Sequence, residues 1–368
     1  MSPSTPPPVP SALRPIFLVG AGSIVRDAHL PAYRQVGYRV AGVFDLDRAR
    51  ASEVAATAGA KAYGSLAALV EAAEADGGVY DLALPPSAVP ATLEVLPEGA
   101  FVLLQKPFGR DLAEATQLLA LTRARRLRGA VNFQLRYAPA VEAARALLAY
   151  GAIGELIDLE LRVVCRMPWE TWPFLAGMPR MEVLMHAIHY LDLARSFLGE
   201  PERVWCGTAR QPSRVASPHT APDAREQPCL AETRSTTVLS FGETRRAVVT
   251  TYHHHAAPAG HDASHLRLEG TGGTMVARLG VNLDYPRGRD DTLELSRNGG
   301  AWERVPLRGN WFPHGFEGPM RSLQRLAAGD VARIHSGFDD AWRTMALVET
   351  CYKSAEGGER VPEPPADA

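Results

Sequence analysis

Residues 15–33 of this 368-residue chain read PIFLVGAGSIVRDAHLPAY. The apolar residues before Gly20 predict a buried strand, and the residues after Gly22 are compatible with a helix. Gly20 permits a tight turn from strand to helix, and Gly22 lets a pyrophosphate approach the backbone at the helix N-terminus. The third glycine of the usual GxGxxG pattern is absent, because Val25 stands there. The stretch predicts a dinucleotide site, with a purely structural corner as the alternative.

An acidic residue follows at the spacing that a dinucleotide site requires. Asp45 ends the next apolar run, VAGVFD, 23 positions after Gly22. A carboxylate there accepts hydrogen bonds from ribose hydroxyls and repels a 2′-phosphate, which favours NAD over NADP. Arg48 and Arg50 lie just downstream and leave NADP open. If the corner is purely structural, Asp45 caps the next helix instead.

Short apolar runs alternate with helical stretches up to about residue 135. This order predicts a parallel sheet covered by helices on both faces. The predicted strands are Ile16–Val19, Arg39–Phe44, Asp81–Leu84, Phe101–Leu104 and Gly129–Phe133, and the predicted helices include Arg48–Ala58, Leu66–Ala75 and Asp111–Arg126.

Strands dominate after residue 155, and short turns separate most of them. This pattern predicts a mainly antiparallel sheet in a second, α+β domain. Its predicted strands are Leu156–Val164, Ser235–Phe241, Arg246–Tyr252, His265–Glu269, Met275–Leu279 and Thr292–Ser296. We therefore expect a disordered lead-in at 1–14, an α/β domain at 15–135, an α+β domain at 136–360 and a tail at 361–368.

The composition is that of an ordinary globular protein, with 46% hydrophobic and 22% charged residues. The 39 Lys and Arg against 41 Asp and Glu argue against a nucleic-acid partner, which usually requires a basic excess. The sequence contains no apolar run of about 18 residues, so it predicts no membrane-spanning helix. The four cysteines form no CxxC pair, which argues against a cysteine zinc site and favours a reducing, cytoplasmic compartment.

Two further stretches carry residue types suited to chemistry. In FVLLQKPFG, Lys106 follows an apolar strand and would emerge at the ligand-binding edge of a parallel sheet, the alternative being a solvated charge. In MEVLMHAIHYLDLARSFLGEP, His186, His189 and Asp192 recur every three residues on a predicted helix. An imidazole is a natural acid or base near neutral pH. The alternative is one core and one exposed histidine, and the spacing is not the usual zinc pair.

Taken in this order, the glycine turn, the Lys-Pro and the His-x-x-Asp-Leu helix resemble the glucose–fructose oxidoreductase/inositol dehydrogenase (Gfo/Idh/MocA) family. The resemblance runs from Pro15 to Arg360 and includes LEGTGGTM and the closing GFDDAWRTMALVETCYKSA. It implies a Rossmann domain followed by an α+β domain whose open sheet builds homodimers or homotetramers.

The resemblance also implies site residues. The family's EKP motif corresponds to Gln105-Lys106-Pro107, where Lys106 would contact substrate and nicotinamide. The family's catalytic histidine corresponds to His189. The carboxylate that usually stands four residues earlier is replaced by Met185, and His186 is a candidate substitute. A branch of the family shares this arrangement and a Trp-Phe-Pro segment, here Trp311-Phe312-Pro313. The implied cofactor-binding set is Gly20, Gly22, Ser23, Ile24, Asp45, Pro86, Gln105 and Lys106.

Further residues are candidates for the substrate side. Arg136 and Tyr137 close the last strand of the first domain, where Arg136 would meet substrate or form an interdomain salt bridge. Trp172 in MPWETWPF would stack on a sugar ring or pack beneath its loop. The histidine-rich stretch from His253 to His265 leaves a metal site, a pocket role and a solvated strand end open. The resemblance itself implies no metal.

We therefore predict an NAD-dependent dehydrogenase, with NADP as the alternative cofactor, acting on a sugar, cyclitol or related polyhydroxylated compound. Lys106 would polarise the reacting oxygen and His189 would take its proton. The departure at Met185 leaves two alternatives open. One is an enzyme with tightly held NAD that oxidises its substrate transiently, as an isomerase, lyase or glycosidase. The other is a non-catalytic dinucleotide-binding sensor.

Overall fold

The computed structural model describes residues 8–166, 178–210, 231–254, 262–283 and 288–363. The chain divides into two compact units, each described here by itself. The N-terminal unit contains residues 8–137 and also Pro313–Met345. The C-terminal unit contains Ala138–Phe312 and the residues from Ala346 onward. The structure thus differs from the predicted domain bounds, because Pro313–Met345 belongs to the first unit. The helix Glu317–Ala328 of this segment packs on the sheet of that unit.

The N-terminal unit is built on a parallel sheet with the strand order β3-β2-β1-β4-β5-β6. Every residue of β1 and β4 is buried, as expected for central strands covered on both faces. The order reverses between β1 and β4, so their carboxyl ends form the crevice in which such sheets bind ligands. The strands are β1 Ile16–Val19, β2 Val40–Phe44, β3 Lys61–Ala62, β4 Val79–Leu82, β5 Phe101–Leu104 and β6 Arg128–Val131.

Three helices of the N-terminal unit begin at a residue whose side chain caps the first turn. Asp47 accepts hydrogen bonds from the first turn of α2, and Gly59 ends that helix at a φ of 66°. Ser65 and Asp111 cap α3 and α5 in the same way. The helices are α1 Leu30–Gln35, α2 Arg48–Ala58, α3 Leu66–Ala75, α4 Val89–Val95, α5 Leu112–Ala124, α6 Pro139–Ala149, α7 Ile188–Leu198, α8 Glu317–Ala328 and α9 Phe338–Gly357.

The C-terminal unit is built on a sheet with the order β14-β13-β12-β11-β7-β10-β9-β8. Neighbours are antiparallel except β7 and β10, which are parallel. Alternate residues of β9 to β11 are buried, so one face of the sheet forms the core. The strands are β7 Leu156–Val164, β8 Arg203–Ala209, β9 Arg234–Phe241, β10 Arg245–Tyr252, β11 Ala263–Gly270, β12 Gly273–Arg278, β13 Thr292–Arg297 and β14 Glu303–Val305.

The predicted fold class is confirmed: a parallel α/β sheet in one unit and a mainly antiparallel sheet in the other. Strand β4 begins two residues earlier than predicted, and β3, β8, β14, α4, α6 and α8 were not predicted. Among the described helices, none combines the length and the apolar character that crossing a bilayer requires.

Candidate functional site

The two glycines of the first turn have different roles. Gly20 has a φ of 99°, and a Cβ there would lie 2.3 Å from the carbonyl oxygen of Ala83, so the fold itself requires glycine. A Cβ at Gly22 would meet nothing within 4 Å. Protein packing therefore does not account for Gly22, whereas the close approach of a ligand does. Ser23 and Ile24 follow at the start of the helix, before its π-helical turn Val25–His29.

Asp45 lies directly beside this turn, at the carboxyl end of β2. Its Oδ2 accepts a hydrogen bond from the amide of Ala21 at 2.7 Å, and its Oδ1 accepts one from the amide of Asp47 at 2.8 Å. Arg50 approaches Oδ1 at 3.7 Å. The capping alternative for Asp45 is wrong, because Asp47 is the N-cap of α2. Each carboxylate oxygen keeps a further lone pair with which to accept from a ribose hydroxyl.

The remaining predicted cofactor residues follow the neighbouring strands at the same edge of the sheet. Pro86 is buried and begins a short 3₁₀ turn after β4. Gln105 and Lys106 come directly after β5 and are partly buried. Burial lowers the pKa of the Lys106 ammonium from 10.5 to about 8. Lys106 is therefore mainly a cation at neutral pH and is half deprotonated near pH 8.

A buried hydrogen-bond network explains the glutamine that replaces the glutamate of the EKP motif. Gln105 Nε2 lies 2.7 Å from His29 Nε2, while His29 Nδ1 lies 2.7 Å from Asp81 Oδ2. The Tyr33 hydroxyl donates to the same carboxylate oxygen at 2.6 Å. With the Nδ1 proton directed at Asp81, His29 Nε2 accepts from the Gln105 amide. Gln105 Oε1 in turn accepts a hydrogen bond from the backbone amide of Lys106 at 3.2 Å, and this bond holds the Lys106 backbone in place.

Arg136 and Tyr137 contact other residues of the N-terminal unit. The buried Arg136 guanidinium lies 2.6 Å from Asp340 Oδ2 and donates to the carbonyl of His335 at 2.9 Å. Both partners belong to the same unit as Arg136, so this ion pair lies within one unit. The Tyr137 ring packs on Gly318, where a Cβ would lie 2.2 Å from the tyrosine Cβ. Trp172, the other aromatic candidate, lies outside the described residues.

In the C-terminal unit, the histidine helix starts with a π-helical segment, Glu182–Ala187, and continues as α7. Glu232 anchors its start, because Oε1 accepts from the amides of Met181 and Val183 at 3.1 and 3.2 Å. The wider turn inserts one residue relative to an α-helix, a feature frequent at functional sites. His186 therefore lies on the π-helical segment, whereas His189 and Asp192 lie on α7, so the three residues do not share one regular α-helix as their spacing predicts.

His189 lies near the start of α7 and is 8% exposed. The Trp311 ring meets it edge to face, with ring centroids 6.2 Å apart. The Trp311 backbone amide donates to Asp291 Oδ2, and burial raises the pKa of Asp291 to about 6. Neither Trp311 nor Asp291 is among the predicted site residues. Trp311 does belong to the Trp-Phe-Pro segment that a branch of the family shares. Asp192, a helical turn beyond His189, is fully buried.

His186 lies against a carboxylate that the sequence did not reveal as important. Glu182 is fully buried; its Oε2 lies 3.4 Å from His186 Nδ1, and its Oε1 lies 2.6 Å from His253 Nδ1. Burial acts to raise the pKa of Glu182, but the two imidazoles outweigh it and hold that pKa far below its usual range. Met185 is 5% exposed, so an apolar side chain occupies the expected acid position.

Comparison with known proteins assigns both units. Residues 15–133 match the oxidoreductase family with an NAD-binding Rossmann fold, and residues 141–276 match the GFO/IDH/MocA C-terminal domain. The chain belongs to the Gfo/Idh/MocA oxidoreductase family. The predicted resemblance and the predicted NAD-binding Rossmann domain are thereby confirmed.

Several relatives of this Gfo/Idh/MocA protein are named dehydrogenases. A D-apiose dehydrogenase of Paraburkholderia graminis is 26% identical over 358 residues, covering 94% of this chain and 88% of the relative. A trans-1,2-dihydrobenzene-1,2-diol dehydrogenase of Oryctolagus cuniculus is 36% identical over 142 residues, covering 38% and 43%. An Agrobacterium radiobacter oxidoreductase, solved in complex with NAD⁺, L-tartaric acid and magnesium, shares the fold with a TM-score of 0.75 and 22% identity, covering 95% and 98%.

Proposed function

We propose that this family member oxidises a secondary hydroxyl of a sugar, cyclitol or related polyol with NAD as the hydride acceptor. The observation that carries the proposal is Lys106, a partly buried lysine with a lowered pKa at the same sheet edge as the open space at Gly22. A cation there can polarise a reacting oxygen beside the cofactor. The full-length likeness to D-apiose dehydrogenases supports a monosaccharide as substrate.

The residues of the glycine turn fit NAD. Gly22 leaves room for the pyrophosphate, Ser23 and Ile24 open the helix whose N-terminus favours it, and Asp45 accepts from the adenosine ribose. Bound there, NAD would supply the site that accepts hydride. Pro86 and Gln105 would complete the cofactor side. Arg50, beside Asp45, leaves room for NADP as a second cofactor.

The proposed roles of the chain's own groups follow from their chemistry. The Lys106 ammonium would donate a hydrogen bond to the reacting oxygen, which favours removal of its proton. His189 would take that proton, since a neutral imidazole is a base near pH 7. Trp311, edge-on to His189, restricts the ring's orientation. Arg136, Tyr137, Trp172 and His186 are proposed to complete the substrate side.

We further propose a cytoplasmic homodimer or homotetramer that assembles through the C-terminal sheet. Alternate residues of β10 and β11 on the face opposite the core are only partly buried, and Trp205 on β8 is 45% exposed. A second copy of this sheet would cover that face. Light scattering on wild-type protein and on Trp205→Glu tests the proposal, with a monomeric wild type as the contradicting result.

The activity test follows NADH formation with D-apiose, other aldoses, inositols and sugar acids, using NAD and NADP in parallel. We expect turnover of at least one sugar or cyclitol, and a loss of more than about 100-fold in kcat/KM for Lys106→Met and His189→Asn. Lys61→Met and His335→Asn are matched controls, because both side chains are exposed and neither residue belongs to the proposed site.

The same experiment separates the alternatives. Turnover without added NAD, by protein that purifies with the dinucleotide bound, would indicate transient oxidation within an isomerase, lyase or glycosidase. If NAD binds but Lys106→Met and His189→Asn match the wild type in every assay, the protein is a sensor. No NADH with any member of the panel contradicts the proposed dehydrogenase activity.

A further inference from the structure

A compact cluster of one carboxylate and two imidazoles lies in the C-terminal unit. Glu182 and His186 are separated by four positions on the π-helical segment, and His253 follows β10. One potential ligand atom from each residue lies within 4.8 Å of the other two. Glu182 is 0% and His253 is 3% exposed, and their charged and polar atoms meet one another directly.

We propose that Glu182, His186 and His253 bind a divalent transition-metal ion of the zinc class. Two histidines and one glutamate are a recognised three-ligand set for Zn²⁺, with a fourth position left for water or another oxygen ligand. A carboxylate without a cation is costly to bury, and an ion of charge +2 neutralises it while both imidazoles stay neutral. This site goes beyond the proposed dehydrogenase activity. It shares His186 with the proposed substrate side, and its test measures metal binding without turnover.

The distances fit such an ion after one local change. Metal–ligand bonds of about 2.1 Å in tetrahedral geometry place neighbouring ligand atoms about 3.4 Å apart. The Glu182 Oε2–His186 Nδ1 distance is already 3.4 Å. The Oε1–His253 Nδ1 distance of 2.6 Å is that of a hydrogen bond, so the ion would replace this bond with two bonds to the metal.

The surroundings hold the proposed ligands in place. Tyr190 stacks nearly parallel to the His253 ring, with centroids 6.2 Å apart and an interplanar angle of 11°. The His186 and His253 rings lie 4.5 Å apart. Orientation of ligand rings by neighbouring groups is typical of metal sites. The His186 side chain is 12% exposed and gives the cluster access to water.

The test uses untagged full-length protein, stripped with a chelator and then titrated with Zn²⁺ and Co²⁺. We expect one equivalent of Zn²⁺ by elemental analysis, and visible Co²⁺ absorption typical of four or five ligands. Glu182→Gln and His186→Asn should each weaken Zn²⁺ binding at least about tenfold. His186 is partly exposed, so its variant keeps the test decisive if Glu182→Gln does not fold. Wild-type binding far below one equivalent overturns the proposal.

Matched histidine variants locate the ion. His265→Asn, on β11 of the same sheet, should bind Zn²⁺ like the wild type. The double variant His255→Asn/His261→Asn changes two neighbouring histidines outside the described residues and should also bind normally. If only this double variant loses the ion, or if Glu182→Gln and His186→Asn both bind as tightly as the wild type, the proposed ligand set is wrong.

Discussion

Lys106 should set an upper pH limit to activity. Burial lowers the pKa of Lys106 from 10.5 to about 8. Lys106 is therefore protonated in about half of the molecules at pH 8 and in about 1% of them at pH 10. If the ammonium polarises the reacting oxygen, kcat/KM should fall in proportion, by about 50-fold over those two units. The fall should approach tenfold per pH unit at its steepest.

The kinetic assay compares the wild type with Lys106→Arg between about pH 6 and pH 10. Arginine stays charged over this range, so the variant should lose the alkaline fall even if its overall rate is lower. The shape of each profile, normalised to its own maximum, is the quantity to compare. An identical alkaline fall in Lys106→Arg would refute the assignment of the limiting group.

A direct titration is unusually simple in this protein, because the chain contains three lysines, Lys61, Lys106 and Lys353. Reductive methylation with ¹³C therefore gives three side-chain signals, and the one missing from Lys106→Arg is assigned to Lys106. It should titrate near pH 8. Lys353 should titrate well above it, because the Glu363 carboxylate raises the pKa of Lys353. A Lys106 midpoint above about pH 10 would contradict the structural argument.

Three further outcomes follow from the N-terminal unit. Gly22→Ala should leave the melting temperature nearly unchanged but weaken NAD binding about tenfold or more, as measured by nucleotide titration. Gly20→Ala should instead lower the free energy of unfolding by roughly 1–3 kcal/mol, as measured by urea unfolding. Asp45→Ala should shift the NADP to NAD ratio of kcat/KM towards NADP by about tenfold or more, since like-charge repulsion is removed. Lys106→Met should raise the melting temperature at pH 7 by roughly 2–4 °C, because the buried charge destabilises the folded state. This gain should fade as pH rises from about 8 to 10.5, where the wild-type lysine loses its proton, and scanning calorimetry at both ends checks the sign.

Local signals made much of the Rossmann unit predictable. Helix α2 begins and ends where expected, because Asp47 caps its first turn and Gly59 stops it. Strand β5 is an uninterrupted apolar run and was also placed correctly. Strand β4 begins two residues before its predicted start, so that Asp81 is its third residue and not its first. Asp81 lies fully buried inside the strand, paired with His29 across 52 positions of sequence.

The site was predictable only where its signal is local. The glycine turn and the Lys106 strand end are short patterns, whereas the partner of Glu182 is His253, 71 positions away. The family pattern places an acid at position 185, one α-helical turn before His189. The carboxylate found in the structure is instead Glu182, which lies on a π-helical turn and contacts the distant His253. The signal available in the sequence was a glutamate four residues before His186.

The division of the chain has a consequence for biosynthesis. The N-terminal unit includes Pro313–Met345, so a ribosome must extend the chain to Met345 before that unit has all of its parts. A nascent chain that ends at Tyr137 lacks the α8 residue Gln324, which bonds the backbone of Arg14, and Phe338, which stacks on Phe108. The order of synthesis thus lets the second unit gain most of its residues while the first is still incomplete. An expression fragment cut at the apparent domain boundary would expose apolar surface and aggregate.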